Sequence, residues 1–236
     1  MSFLKAEWRK LILVNYVVDP KILEPYIPND TQLDLWQDKC YVSLVGFMFQ
    51  NTKLLGVKVP GHVNFEEVNL RFYVKRKVGN EWRRGVVFIK ELVPKWALSF
   101  VANTVYGESY ETVPMSHEWK RSGDVMEISY GWKKDSWDQF LKVTANAHAI
   151  PIEFGSEAEF ITEHYWGYAR QSATKTNEYE VTHPKWDQYA VNDYELAVDF
   201  KLNYGDEFEF MNSLKPESVL LAEGSEITVE SKKGLR

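Results

Sequence analysis

From Val63 to Val74 apolar and polar side chains alternate, placing Val68, Leu70, Phe72 and Val74 on one side of an extended chain and Phe65, Glu67, Asn69, Arg71 and Tyr73 on the other. The first side is oily. The second presents an acid, an amide, a guanidinium and a phenol two residues apart, a polar set suited to a pocket wall and uncommon on a plain surface strand. Gly79-Asn80 marks a hairpin turn that returns the chain from Trp82 to Lys90, which gives that polar face a direct neighbour.

The same reading extends along the chain. Trp8 to Val18 is strand-like, and Asp19-Pro20 supplies an N-cap and an N-terminal proline for a short helix through Ile22, Leu23 and Tyr26 that Pro28 stops. Gln32 to Trp36 and Cys40 to Lys53 read as strands of one hairpin, joined by the polar turn Gln37-Asp38-Lys39. Ala97, Val101 and Val105 recur at helical spacing between Pro94 and Gly107 and predict the best helix of the chain. Strands follow at Tyr110 to Lys120, Val125 to Lys133 and Gln139 to Ala149 as an antiparallel meander. Ser156 caps an acid-rich helix start, further strands run from His164 to Gln171 and Glu178 to His183, and Val219 to Val229 holds two more around Glu223-Gly224. With no repeat and no linker, residues 1–236 form a single domain. The fold class is α+β: mainly antiparallel β-sheet, strongly curved into a cone or barrel, with a few short helices.

Composition narrows the partners. A formal charge of −6 and basic runs scattered at Lys75-Arg76-Lys77, Lys133-Lys134 and Lys232-Lys233 exclude a nucleic-acid backbone as the expected partner. The longest apolar runs, such as Leu11 to Val14, are strand-sized, so no membrane span is expected. The amino terminus lacks a secretory pattern and the lone Cys40 cannot form an internal disulfide, so a cytoplasmic location is expected. Aromatic residues make up 15% of the chain, enough to build a core of rings and leave a few to line a cavity. A small-molecule ligand is the expected partner, and a homo-oligomer is compatible with the chain.

Other chemistry is sparse. His62, His117, His148, His164 and His183 lie far apart and form no close-spaced metal pattern, and His164 and His183 read as structural. No metal or cofactor is expected. Ser43, Ser99 and Ser109 lack the Gly-x-Ser-x-Gly elbow of a hydrolase, and Cys40 reads as a half-buried strand residue.

The order of elements, together with Val18-Asp19-Pro20, Leu44 to Phe47, Phe65 to Val74, Gly85 to Phe88, Tyr106 to Tyr110, Phe160 to Tyr165 and His183 to Trp186, resembles the YqjF-like family of uncharacterised conserved proteins over nearly the whole chain. The resemblance implies a fold similar to acetoacetate decarboxylase, a β-cone with its ligand site inside, and no established activity. It also places Lys95, in Val93-Pro94-Lys95-Trp96-Ala97, where that decarboxylase carries its imine-forming lysine. Trp96 stands in place of the second lysine whose charge would depress the amine's pKa.

Two functions emerge. The first is a protein that binds a small acidic or carbonyl-containing metabolite inside the β-cone, with Glu67, Asn69, Arg71 and Tyr73 as the polar pole: Arg71 anchors an anion, Asn69 and Tyr73 orient it, and Glu67 holds the guanidinium or acts as a base. The alternative is a decarboxylase-like lyase or hydratase acting on keto acids through an imine at Lys95, its one candidate catalytic residue.

Overall fold

The computed structural model describes residues 2–95, 108–172 and 174–235. Within them the chain runs through β1 (Ser2–Val17), β2 (Gln32–Leu33), β3 (Tyr41–Leu54), β4 (Phe65–Val78), β5 (Glu81–Val93), β6 (Tyr110–Thr112) and β7 (Met115–Ser122). It continues through β8 (Val125–Lys134), β9 (Trp137–Pro151), α1 (Glu157–Thr162), β10 (Trp166–Ser172), β11 (Lys175–Thr182), β12 (Asp187–Ala197), α2 (Phe200–Tyr204), β13 (Ser218–Glu230) and β14 (Lys233–Leu235). The predicted helix between Pro94 and Gly107 lies outside the described residues.

One sheet holds all fourteen strands. The neighbours β11, β10, β5, β4, β3, β1 and β13 form a ring, closed where Val181 and Thr182 of β11 pair with Val229 and Thr228 of β13. Pairing is mainly antiparallel; β5 runs parallel to β10 and to β6. From β13 a wing of β12, β9, β8 and β7 folds back over the outside of the ring. The mainly antiparallel, strongly curved sheet read from the sequence is therefore the observed architecture.

Two cores follow. Inside the ring sit Leu11, Leu13, Val45, Phe47, Phe65, Val86 and Trp186. Between ring and wing sit Ile12, Val14, Leu44, Val68, Leu70, Phe72, Tyr130, Leu141 and Val143. The two sides of β4 thus face different cores, which is why Val68, Leu70, Phe72 and Tyr73 are all essentially inaccessible. Closing a sheet this tightly demands local kinks, and β-bulges supply them. In β1 the register against β3 shifts between Arg9 and Ile12, where Lys10 adopts φ 54°, and the partner strand β13 answers with Gly224 at φ 79°.

Several local expectations are corrected. Gln32–Leu33 pairs with Lys75 and Val74 of β4 and forms no hairpin with β3, because Gln37 and Asp38 turn with positive φ and leave only an isolated bridge between Trp36 and Lys39. Pro25 splits the short helix into two 3-10 turns, Pro20–Ile22 and Glu24–Tyr26, although Asp19 does cap the first by accepting from the Lys21 N–H. The strand predicted from Tyr110 to Lys120 breaks at Val113-Pro114 into β6 and β7, and the two strands expected after Val219 are one, kinked at Gly224. β12 and α2 went unforeseen, since Asp187–Ala197 is largely polar and exposed on the wing. Among the described residues no helix is long and apolar enough to cross a membrane.

At Gly224 the left-handed backbone coincides with a close approach: a Cβ there would lie 2.0 Å from the carbonyl oxygen of Trp8. Gly224→Ala is expected to destabilise the fold by about 3 kcal/mol or more, since neither backbone can yield cheaply. Urea unfolding measures this, and a loss under about 1 kcal/mol would show that the kink is not needed for closure.

A buried cavity as the candidate functional site

A partly open cavity of about 270 Å³ lies within the ring. Its wall is largely apolar, with Trp8 from β1, Phe49 from β3, Phe65 from β4, Val86 and Phe88 from β5, Trp166 from β10 and Val181 from β11. Into this wall β4 sends Glu67 and Arg71, β5 sends Glu91, β6 sends Tyr110, β11 sends Tyr179, and the segment after α1 sends His164.

Glu91 reaches the cavity through a change of phase. Leu70 pairs with Lys90 and Arg71 with Phe88, leaving Ile89 as the extra residue of a bulge. Before the bulge Val86 and Phe88 line the cavity; beyond it Glu91 does, while Val87, Ile89 and Leu92 all face the outer core. Strict alternation would have put Glu91 outside with Val87 and Ile89.

The acidic side of the cavity is a set of carboxyls and phenols. Asn69 donates to Glu67 Oε1 at 2.9 Å and Tyr110 donates to Glu67 Oε2 at 3.2 Å. Tyr179 donates to Glu108 Oε1 at 2.8 Å, while Oε2 of Glu91 is buried without a partner among the described residues. Burial is the largest influence on all three acids: it pushes Glu67 up to about 7 against the hydrogen bonds of Asn69 and Tyr110 and the attraction of Arg71. It carries Glu108 to about 7, aided by the charge of Glu67, and holds Glu91 well above the carboxylate range with help from Glu108 and Glu67. Burial thus shifts these acids toward the protonated form, which can donate hydrogen bonds.

Arg71 forms the cationic side. It is 7% exposed, lies 5.6 Å from the centre of the Tyr73 ring and donates to the carbonyl of Ile161 at a long 3.4 Å, while its Nε has no partner among the described residues. Glu67 and Arg71 share the cavity but no hydrogen bond joins them, so Glu67 does not hold the guanidinium. Tyr73 and Asn69 stand behind the wall. The Tyr73 hydroxyl is 2.7 Å from Ser43 Oγ, which itself donates to Asn15 Oδ1 at 2.6 Å, so the phenol proton is committed away from the cavity. Lys95 is half-buried two residues beyond β5 and is not among the described residues lining the cavity.

His164 is 4.7 Å from Tyr73, ring centre to ring centre, and its Nε2 is 3.2 Å from Asp34 Oδ2. Asp34 also accepts from Arg84 Nε at 2.6 Å and lies 3.2 Å from Lys75 Nζ. Burial opposes charge on Asp34, but the hydrogen bonds from His164 and Arg84 prevail and hold it far below the ordinary range. Burial, with Arg84 and Arg71 nearby, pulls His164 down to about 4 despite Asp34. The neutral ring donates through Nε2 and keeps a lone pair on Nδ1, which is buried without a partner among the described residues. Elsewhere, burial raises the Cys40 thiol to about 11, so it is no thiolate nucleophile. Among the described residues no group of three or more His, Cys, Asp or Glu is arranged to hold a metal ion.

This closed, curved sheet around a central cavity is the acetoacetate decarboxylase-like fold. Acetoacetate decarboxylase from Legionella pneumophila superposes on 99% of this chain and 87% of its own, with a TM-score of 0.67 and 13% identity. MppR, an enduracididine biosynthesis enzyme in complex with pyruvate, superposes on 100% of this chain and 91% of its own, with a TM-score of 0.69 and 12% identity. At such identities the likeness is one of fold. The chain belongs to the DUF2071 family, described as an uncharacterized conserved protein, whose model matches residues 5–226. The uncharacterized protein YqjF of Bacillus subtilis strain 168 is 26% identical over 164 residues, 69% of this chain and 63% of that relative's length. Both the family resemblance and the fold it implied are thus shown.

Glu67 binds its proton more tightly in the fold than in the unfolded chain, so its contribution falls as pH rises from about 4.5 through about 7. Glu67→Gln keeps the shape without the titration. Relative to this variant the wild type is expected to lose on the order of 3 kcal/mol of unfolding free energy between pH 4.5 and 8. Paired urea titrations across that range test it; a constant difference would mean that Glu67 is ionised throughout.

Proposed function

We propose that this protein binds a small organic acid with an apolar body in the cavity of the β-cone, with Arg71 as the anchor for the carboxylate. The observation that carries this reading is a buried guanidinium in a largely apolar cavity which, among the described residues, has one long hydrogen bond and no partner for its Nε. A buried cation costs several kcal/mol unless paired, and a bidentate carboxylate supplies the missing charge and acceptors. The raised pKa values of Glu67 and Glu91 favour the same guest, since burial shifts these lining carboxyls toward the neutral form and lessens their repulsion of an anion. In this reading Asn69 and Tyr73 act by fixing Glu67 and supporting Arg71, and Glu67 serves as a hydrogen-bond donor or proton donor. The cavity exceeds the ~150 Å³ that accommodates benzene, leaving room for a ring or branched chain plus a head group.

A second reading, a lyase or hydratase acting on keto acids through Lys95, is supported by the fold shared with acetoacetate decarboxylase and by neutral carboxyls able to protonate a carbanion. Borohydride trapping with pyruvate decides it. A mass gain confined to Lys95 establishes the imine, and none at all removes the reading.

For the binding reading, calorimetry with 3-phenylpropionate is expected to show binding that Arg71→Met weakens about 30-fold or more. The same change is expected to leave the melting temperature unchanged or higher, because it removes an unpaired buried charge. Equal affinity in a folded Arg71→Met protein would reject the anchor.

A further inference from the structure

The second polar feature of the cavity is His164, which lines it and whose buried Nδ1 has no hydrogen-bond partner among the described residues. Its other nitrogen is held by Asp34, and Asp34 is clamped from two strands by Lys75 of β4 and Arg84 of β5. A core imidazole that only filled space would satisfy both nitrogens, whereas this one, with its side chain 1% exposed, spends one on a fixed anion and leaves the other without a partner among the described residues.

Three features set the character of that lone pair. An ionised Asp34 requires the proton on Nε2, so Nδ1 cannot be a donor without the ring becoming a cation. Arg71 and Arg84, both near the ring, oppose that cation. The contrast with Glu91 is useful: its neutral carboxyl can turn either a hydroxyl or a carbonyl oxygen to a guest, while His164 offers acceptance alone. Arg71 and His164 also flank the same ring, Tyr73, and α1 links them, since Arg71 donates to Ile161 only three residues before His164.

We propose that Nδ1 of His164 accepts a hydrogen bond from a hydroxyl on the acid anchored by Arg71, so that the cavity selects hydroxy acids with an apolar body. This rests on the acid-binding reading above and narrows its ligand class. A deoxy acid leaves Nδ1 buried and unpaired, and an oxo acid turns a second set of lone pairs toward it; both are penalised by the same acceptor. Asp34, Lys75 and Arg84 are positioning residues in this scheme, fixing the tautomer without touching the guest.

The test uses the full-length chain and three acids that differ at one carbon: 3-phenyllactate, 3-phenylpropionate and phenylpyruvate. Calorimetry is expected to rank phenyllactate tightest, by about 10-fold or more over each of the others. His164→Phe, which keeps a ring and removes both nitrogens, is expected to abolish that preference while retaining affinity for phenylpropionate. Nitrogen NMR of the histidine-labelled wild type supplies a readout independent of the variant's folding: His164 is expected in the Nε2–H form when free, with Nδ1 shifting when phenyllactate binds and not with phenylpropionate. Equal binding of the three acids, or a free protein with the proton on Nδ1, overturns the assignment of His164 and leaves the Arg71 anchor standing. Failure of all three to bind overturns both readings.

Discussion

The structure depends on the closure of its sheet. Two residue pairs, Val181 with Val229 and Thr182 with Thr228, join β11 to β13, and the ring so formed draws a band of polar side chains into its interior. Once those groups lie in a low-dielectric interior, their protonation follows from where they sit. Glu67, Glu91 and Glu108 hold protons that a surface acid would release, His164 releases one that a surface histidine would share, and Arg71, which cannot discharge, remains a cation with incomplete solvation. Most of the cavity's chemistry is a consequence of enclosure acting on ordinary residue types.

Enclosure needs curvature, and curvature here comes from residues that break the alternation of their strands. Lys10 does so in β1, next to the Arg9 that pairs with Gly224, and Ile89 in β5 opposite the Leu70-Arg71 step. Each bulge bends a strand and also exchanges the faces of everything beyond it. In β5 that exchange turns Glu91 from the outer core to the cavity, so the device that shapes the barrel also sets part of its interior chemistry.

This explains what the sequence disclosed and what it withheld. In β4 no bulge interrupts its own sequence, so a period of two read from Phe65 to Val74 separates cavity from outer core correctly and places Glu67 and Arg71 together. The fold class was legible because strand-length apolar runs and turn residues recur along the whole chain. In β5 an extra residue resembles any other, and Glu91 was overlooked. Glu108, Tyr110, Tyr179 and His164 meet Glu67 and Arg71 only through pairings across long stretches of chain, which local periodicity does not encode. Histidine 164 carries a further lesson: its partner Asp34 lies 130 positions away, in a segment whose expected hairpin with β3 does not form.

The alternation of β4 between two interiors divides labour within a single strand. Residues 68, 70, 72 and 74 bind ring to wing, while residues 67 and 71 line the cavity. Scaffold and cavity lining are therefore written on interleaved positions that can vary independently: exchanging one odd-numbered side chain for another changes the cavity's chemistry without disturbing the scaffold that presents it.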